Sequence, residues 1–243
     1  MNPITIRNPA GTDPAAKREA RGAAGGLSVK ICGLSTPETM EAALAGGADM
    51  VGLVFHPKSP RNVSLDGAAA LAGQARGRAL VVALTVDADD AALDAIMQAV
   101  GPDLIQCHGR EDEDRLDRIL ALTGRPIMKA VGVADAADLA AVARFAPHAG
   151  RILLDAKPPA GAAYPGGHGQ PFDWDILSAL GPGEPFMLSG GLNPDNVAEA
   201  MGRIRRMGLA LAGVDVSSGV ETAPGCKDAA KIAQFIKAAR AAA

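Results

Sequence analysis

Ser28-Val29-Lys30-Ile31-Cys32-Gly33 reads as a short strand of branched apolar residues that carries a cysteine at its end and stops at a glycine. Side chains alternate across a strand, so Val29 and Ile31 face one side while Lys30 and Cys32 face the other. The thiol stands where a strand gives way to a loop. On this stretch alone two readings stay open: a buried small apolar side chain, which is what most free cysteines are, or a group placed for chemistry.

Outward from this stretch, short branched-apolar runs alternate with longer Ala/Leu-rich segments to the end of the chain. Strands are expected at 27–32, 50–55, 79–86, 104–107, 127–131, 151–155, 185–189 and 213–216. Helices are expected at 37–45, 65–75, 88–100, 111–122, 136–145, 174–180, 194–201 and 227–240. Pro37 suits a first helical position, and Ile232, Phe235, Ile236 and Ala239 repeat at the spacing of one buried helix face. Eight βα units predict an α/β fold, a single (β/α)8 TIM barrel. In such a barrel the Lys30 and Cys32 side of the first strand is the lumen, and the C-terminal rim of the strands carries the active site.

A chain of 243 residues, 48% hydrophobic and 21% charged, suffices for one large core. Residues 1–27 mix Pro, Gly, Ala and charge without apolar periodicity and are expected to form a flexible N-terminal tail, leaving 28–243 as the catalytic barrel. The tail holds Arg7, Lys17, Arg18 and Arg21, but Asp13 and Glu19 and the lack of an amphipathic pattern argue against targeting. With no signal-type core and no run of about 18 apolar residues, the expected location is the cytoplasm, away from membranes. A net charge of −3 and 3% aromatic residues leave little with which to bind nucleic acid. The three cysteines, Cys32, Cys107 and Cys226, match neither a disulfide framework nor a metal-binding spacing. The segment 158–170, with Gly161, Gly166, Gly167 and Gly169, is expected to be a long mobile loop.

Polar groups recur at the expected strand ends. Asp155 follows three apolar residues at the rim of the sixth strand, in the place equivalent to Cys32 on the first. Desolvation there would raise the pKa of the carboxyl and fit it to donate a proton, while a thiol near cations is fitted to accept one. The alternatives for Asp155 are a helix N-cap or a partner for Lys157. Ser189-Gly190-Gly191-Leu192-Asn193-Pro194 and Asp215-Val216-Ser217-Ser218-Gly219 close the seventh and eighth strands. Glycines let backbone N–H groups approach an anion, and the loops after these two strands are the habitual phosphate site of this barrel. Arg61, in a loop stiffened by Pro57 and Pro60, either holds a carboxylate bidentately or belongs to a solvated basic loop. His108 lines the pocket or hydrogen-bonds across the rim. His56, His148 and His168 lack ligand spacing, and no metal is expected.

As a set, Val29-Lys30-Ile31-Cys32-Gly33, 52–61, Leu104-Ile105-Gln106-Cys107-His108-Gly109, Leu153-Leu154-Asp155, Phe172-Asp173-Trp174, Leu188-Ser189-Gly190-Gly191-Leu192 and 213–221 closely resemble the phosphoribosylanthranilate isomerase family of tryptophan biosynthesis. The resemblance runs in order from residue 28 to the end. It implies a cofactor-free Amadori rearrangement of a phosphosugar, with Asp155 as general acid and Cys32 as general base. It also implies that Arg61 holds the anthranilate carboxylate, that Gly190, Gly191, Ser218 and Gly219 bind the phosphate, and that Asp215 orients the substrate. Barrels of this family occur as monomers and homodimers. Three features depart from the pattern: Cys107 stands where leucine is more usual, Gln170-Pro171 replaces a lysine-containing pair, and the tail is extra. Three rivals remain. The sister isomerase of histidine biosynthesis is expected to use two aspartates, a Schiff-base enzyme would need Lys129 or Lys157, and a non-catalytic phosphosugar-binding protein would need neither acid nor base.

Overall fold

The computed structural model describes residues 26–157, 161, 166, 172–181 and 183–243. The expected tail and the loop at 158–170 lie outside the described residues, apart from Gly26, Leu27, Gly161 and Gly166, as does the Gln170-Pro171 pair.

The expected strands form and close in chain order into a parallel eight-stranded barrel. They are β1 (Ser28–Cys32), β2 (Met50–Phe55), β3 (Leu80–Thr85), β4 (Leu104–Cys107), β5 (Ile127–Val133), β6 (Arg151–Ala156), β7 (Phe186–Leu188) and β8 (Leu211–Val216). The helices around them are α1 (Pro37–Gly46), α2 (Leu65–Ala75), α3 (Asp90–Ala99), α4 (Glu113–Thr123), α5 (Ala140–Phe145), α6 (Val197–Arg206) and α7 (Ala229–Ala241). Their starts follow side-chain caps: Thr36, Ser64, Asp89, Asp112 and Asp228 each accept a first-turn N–H.

Local chemistry also explains where the elements depart from expectation. α4 begins two residues later than 111, because Asp112 takes the cap and Glu111 turns inward. α6 begins at Val197, because the Asn193 side chain accepts from the N–H groups of Asp195 and Asn196 and makes a turn of that stretch. Residues Trp174–Ala179 wind as a 3-10 helix. Lys227 belongs to a short antiparallel hairpin, β9 (Glu221–Ala223) with β10 (Cys226–Lys227), that sequence periodicity did not reveal.

Burial divides into two layers. Outward strand residues such as Val29, Ile31, Val51 and Ile105 pack against the helices, where Ile232, Phe235, Ile236 and Ala239 of α7 are buried as their spacing required. Each of the three larger side chains contributes about 1.5–3 kcal/mol by leaving water. Inside the barrel, Met50, Leu80, Val82, Leu104, Met128, Leu153 and Met187 fill the N-terminal part of the lumen. Above this plug the lumen becomes polar.

Candidate active site

Lys30 and Cys32 both enter the lumen from β1, two residues apart, and both are buried. Barrel closure sets Lys30 in register with Asp215 of β8, and the Lys30 ammonium donates to Asp215 Oδ1 at 2.9 Å. Ser189, just after β7, donates to the other carboxylate oxygen at 3.1 Å. On the opposite side Cys32 is in register with Gly52 of β2. A Cβ at Gly52 would lie 2.9 Å from the Cys32 sulfur and 3.2 Å from the Lys30 nitrogen, so the absent side chain leaves room for both groups. Burial acts against the Lys30 charge, but Asp215 and Cys32 outweigh it and hold its pKa above the ordinary lysine value. Burial pushes the Cys32 thiol up, and Asp215 adds to this, while Lys30 and Lys227 pull it down without cancelling the rise. The cations near the thiol are present, yet desolvation is the larger effect.

Asp155 lies on the lumen side of β6, 5% exposed. Its Oδ2 sits 3.2 Å from His108 Nε2, and its Oδ1 accepts from the Ala156 N–H at 3.0 Å. His108 Nδ1 in turn meets Gln106 Nε2 at 3.3 Å. The two open readings of His108 therefore merge: it lines the lumen and bonds across the rim. Asp155 is not a helix cap, and Lys157 pairs with Asp138 instead. Gly166 comes close above this pair, since a Cβ there would lie 2.6 Å from Asp155 Oδ2 and 2.9 Å from His108 Cε1.

Arg61 is 4% exposed, so the solvated-loop reading fails. Its Nε and Nη2 donate to Glu221 Oε1 and Oε2 at 2.7 and 2.8 Å, a two-point pairing with β9. Lys227 of β10 donates to the same Glu221 at 2.6 Å and to the Ser217 carbonyl at 2.8 Å. Burial works against the Glu221 charge, but Arg61 and Lys227 outweigh it and hold the carboxyl below the usual range. The hairpin thus ties the β2 loop to the β8 rim. Glu221, Lys227, Lys30 and Ser189 are the polar groups that sequence reading did not select. The Arg61–Glu221 and Lys30–Asp215 partners lie 160 and 185 positions apart, whereas Lys227 reaches Glu221 only 6 positions away, within a hairpin.

The loops after β7 and β8 interlock. Gly190 and Gly191 take left-handed φ of 78° and 69°, which side chains resist. A Cβ at Gly219 would lie 1.9 Å from the Leu192 carbonyl oxygen, so only glycine fits between the loops. Ser218 opens the 3-10 turn Ser218–Val220 beside them. The glycines thus let the two loops pack against each other at the rim.

The two lysines considered for a Schiff base, Lys129 and Lys157, lie elsewhere. Lys129 alternates with the lumen residues Met128 and Ala130, lies 5.5 Å from the Phe145 ring of α5 and pairs with Glu111. The Lys157 side chain is 47% exposed. Neither suits a Schiff base in the lumen.

A family model described as N-(5'-phosphoribosyl)anthranilate (PRA) isomerase matches residues 29–238. The chain is 58% identical over 216 residues to the N-(5'-phosphoribosyl)anthranilate isomerase of Nitrobacter hamburgensis, covering 89% of this chain and 94% of that one. It resembles the crystal structure of phosphoribosyl anthranilate isomerase from Thermotoga maritima with a TM-score of 0.75 and 33% identity, covering 89% and 100% of the two chains. It also resembles a phosphoribosyl anthranilate isomerase solved with reduced 1-(o-carboxyphenylamino)-1-deoxyribulose 5-phosphate, with a TM-score of 0.73, 31% identity and the same coverage.

Proposed function

This chain belongs to the phosphoribosylanthranilate isomerase family of tryptophan biosynthesis, and on that premise we propose that Cys32 and Asp155 perform its Amadori rearrangement as general base and general acid. The substrate is N-(5'-phosphoribosyl)anthranilate, a cyclic aminoaldose. Asp155 donates its proton to the ring oxygen as the bond from that oxygen to C1 breaks. The anthranilate nitrogen supplies the electron pair that makes the C1–N bond an iminium. Positive charge on nitrogen acidifies the hydrogen on C2. The Cys32 thiolate takes that proton, and the C–H electrons form a C1–C2 double bond while neutralising the nitrogen. The resulting enolamine loses the proton of its C2 hydroxyl and gains one at C1. The product is the ketose 1-(2-carboxyphenylamino)-1-deoxyribulose 5-phosphate, an isomer of the substrate.

What carries this reading is the pairing of two buried proton-transfer groups on the lumen side of β1 and β6, at the C-terminal rim, with the apolar plug below them. Arg61 is assigned to the anthranilate carboxylate, with Glu221 fixing the plane of its guanidinium. Gly190, Gly191, Ser218 and Gly219 are assigned to the phosphate, which suits the interlocked glycine loops. Asp215 is assigned to orienting the sugar beside Cys32, and His108 to holding Asp155. The scheme calls on no cofactor, and its location is proposed to be the cytoplasm; no described helix is long and apolar enough to cross a membrane.

The test follows anthranilate fluorescence after the protein is added to freshly formed N-(5'-phosphoribosyl)anthranilate. A rapid protein-dependent loss of signal without added metal or cofactor is expected. Decay no faster than the protein-free blank would overturn the assignment.

A further inference from the structure

The Lys30 ammonium is wholly buried, and the lumen beneath it is filled by apolar side chains. Burying a lysine and an aspartate side by side rarely stabilises a fold over apolar residues of the same volume, so core packing alone gives this pair no reason to exist. Its surroundings supply one. Lys30 and Cys32 share one face of β1, and their nitrogen and sulfur crowd the same missing side chain at Gly52. Asp215, aligned with Lys30 across the β1–β8 seam and tethered by Ser189, fixes where the ammonium sits.

We propose that Lys30 is the positioning residue of the base: its ammonium, held by Asp215, stabilises Cys32 as a thiolate and fixes the sulfur toward the substrate. This rests on the reading of Cys32 as the base. In the proton transfer, the thiolate lone pair takes the C2 proton and the C–H electrons pass to the C1–C2 bond, while Lys30 keeps its protons throughout. The groups facing the sulfur define the balance. On β1 there is Lys30, on β8 Asp215, and on β10 Lys227, itself paired with Glu221. β2 presents Gly52 and Val54, and β3 presents Leu84, none of them charged. Burial opposes a thiolate there, which is why a fixed neighbouring cation matters.

The experiment is the pH dependence of kcat/KM toward N-(5'-phosphoribosyl)anthranilate for the native protein, Lys30→Met and Asp215→Asn. Removing the cation should move upward by about one unit the limb of the profile that the Cys32 thiol sets, with a loss of at least about ten-fold at neutral pH carried by kcat. Removing the anion should move the same limb down, whatever it does to overall turnover. A purely structural role for the pair would not shift the limb in opposite directions. A thiol-set limb unmoved in both variants, while Cys32→Ala is inactive, would overturn this inference and leave Cys32 as the base. Native-like turnover by Cys32→Ala would overturn the reading on which it rests, and the inference with it. If Lys30→Met does not fold, Asp215→Asn carries the test alone: a downward shift supports the proposal, and an unmoved or upward limb overturns it.

Discussion

Two of the buried lysine–carboxylate pairs, each beside a cysteine, differ in which way their strands turn them. Lys30 and Asp215 meet at 2.9 Å inside the lumen next to Cys32. Lys129 and Glu111 meet at 2.7 Å on the outer side of the wall, where Lys129 is in register with Cys107. In the outer cluster Glu111 accepts from the N–H groups of Asp87 and Gly109, and Lys129 also donates to the Gly109 carbonyl, so its charges knit the loops after β3 and β4 to β5. Cys107 there is wholly enclosed, and burial together with Glu111 pushes its thiol up to about 12, against the pull of Lys129 and Arg115. On the proposed reading of Cys32, like ingredients serve different ends. A thiol under helices has no route to a substrate, whereas a thiol at the lumen rim has one.

The largest expected effect separates the two cysteines. Cys32→Ala, and likewise Asp155→Ala, should lower turnover by at least ~10²-fold with the fold intact. Cys107→Ala should keep native turnover and cost about 1 kcal/mol of stability, as a small cavity in the outer layer does. Turnover and urea unfolding measured on the same preparations decide it; lost activity in Cys107→Ala with native activity in Cys32→Ala would reverse the comparison.

Next comes the outer pair. Lys129→Met strands a buried carboxylate and should reduce unfolding free energy by about 3 kcal/mol, without moving the pH profile of kcat/KM. A shifted profile would mean that this cluster too reaches the reacting groups.

The smallest effect belongs to the surface pairs that tie neighbouring βα units, which contrast with both buried clusters. Glu41 with Arg78, Asp90 with Arg118 and Arg115, and Glu113 with Arg144 have their carboxyls held down at about 2 by hydrogen bonds from those arginines. Ordinary values are 4.5 for Glu and 3.8 for Asp, so the unfolded chain takes up these protons first as pH falls. Their stabilisation is present above about pH 5 and is lost as pH drops toward 2. The expected change in Tm across that window is modest and shrinks further in high salt, since these pairs are exposed and screened. A salt-independent drop of tens of degrees would place the acid-labile charges in the buried clusters instead.

Much of the site could be read from local sequence because barrel strands deliver residues by a fixed rule. Cys32 and Asp155 end apolar runs, and alternation alone assigns them to the lumen once the run is a strand. The glycines after β7 and β8 declare close backbone approach in the same local way. Lys30 sits on the same face as Cys32, but nothing near it in sequence says what balances its charge; Asp215 lies 185 positions away. Arg61 was expected to await a carboxylate, and its two-point partner Glu221 comes from a hairpin too short to leave a periodic signal. Cys107, placed where leucine is more usual, lies in the outer apolar layer, so the change amounts to a smaller side chain in the packing and adds no new chemistry.

Strand and helix order, the closed barrel that eight βα units form, and the inward face of the first strand are legible in the chain alone, because period-two and period-3.6 patterns are properties of neighbouring residues. Which inward groups meet is settled by the closing of the barrel. Closing β8 onto β1 puts Asp215 beside Lys30, and the β9–β10 hairpin folding back puts Glu221 against Arg61. Charge pairing in a buried site depends on distances of a few ångströms between segments far apart along the chain, and those distances exist only once the barrel is shut.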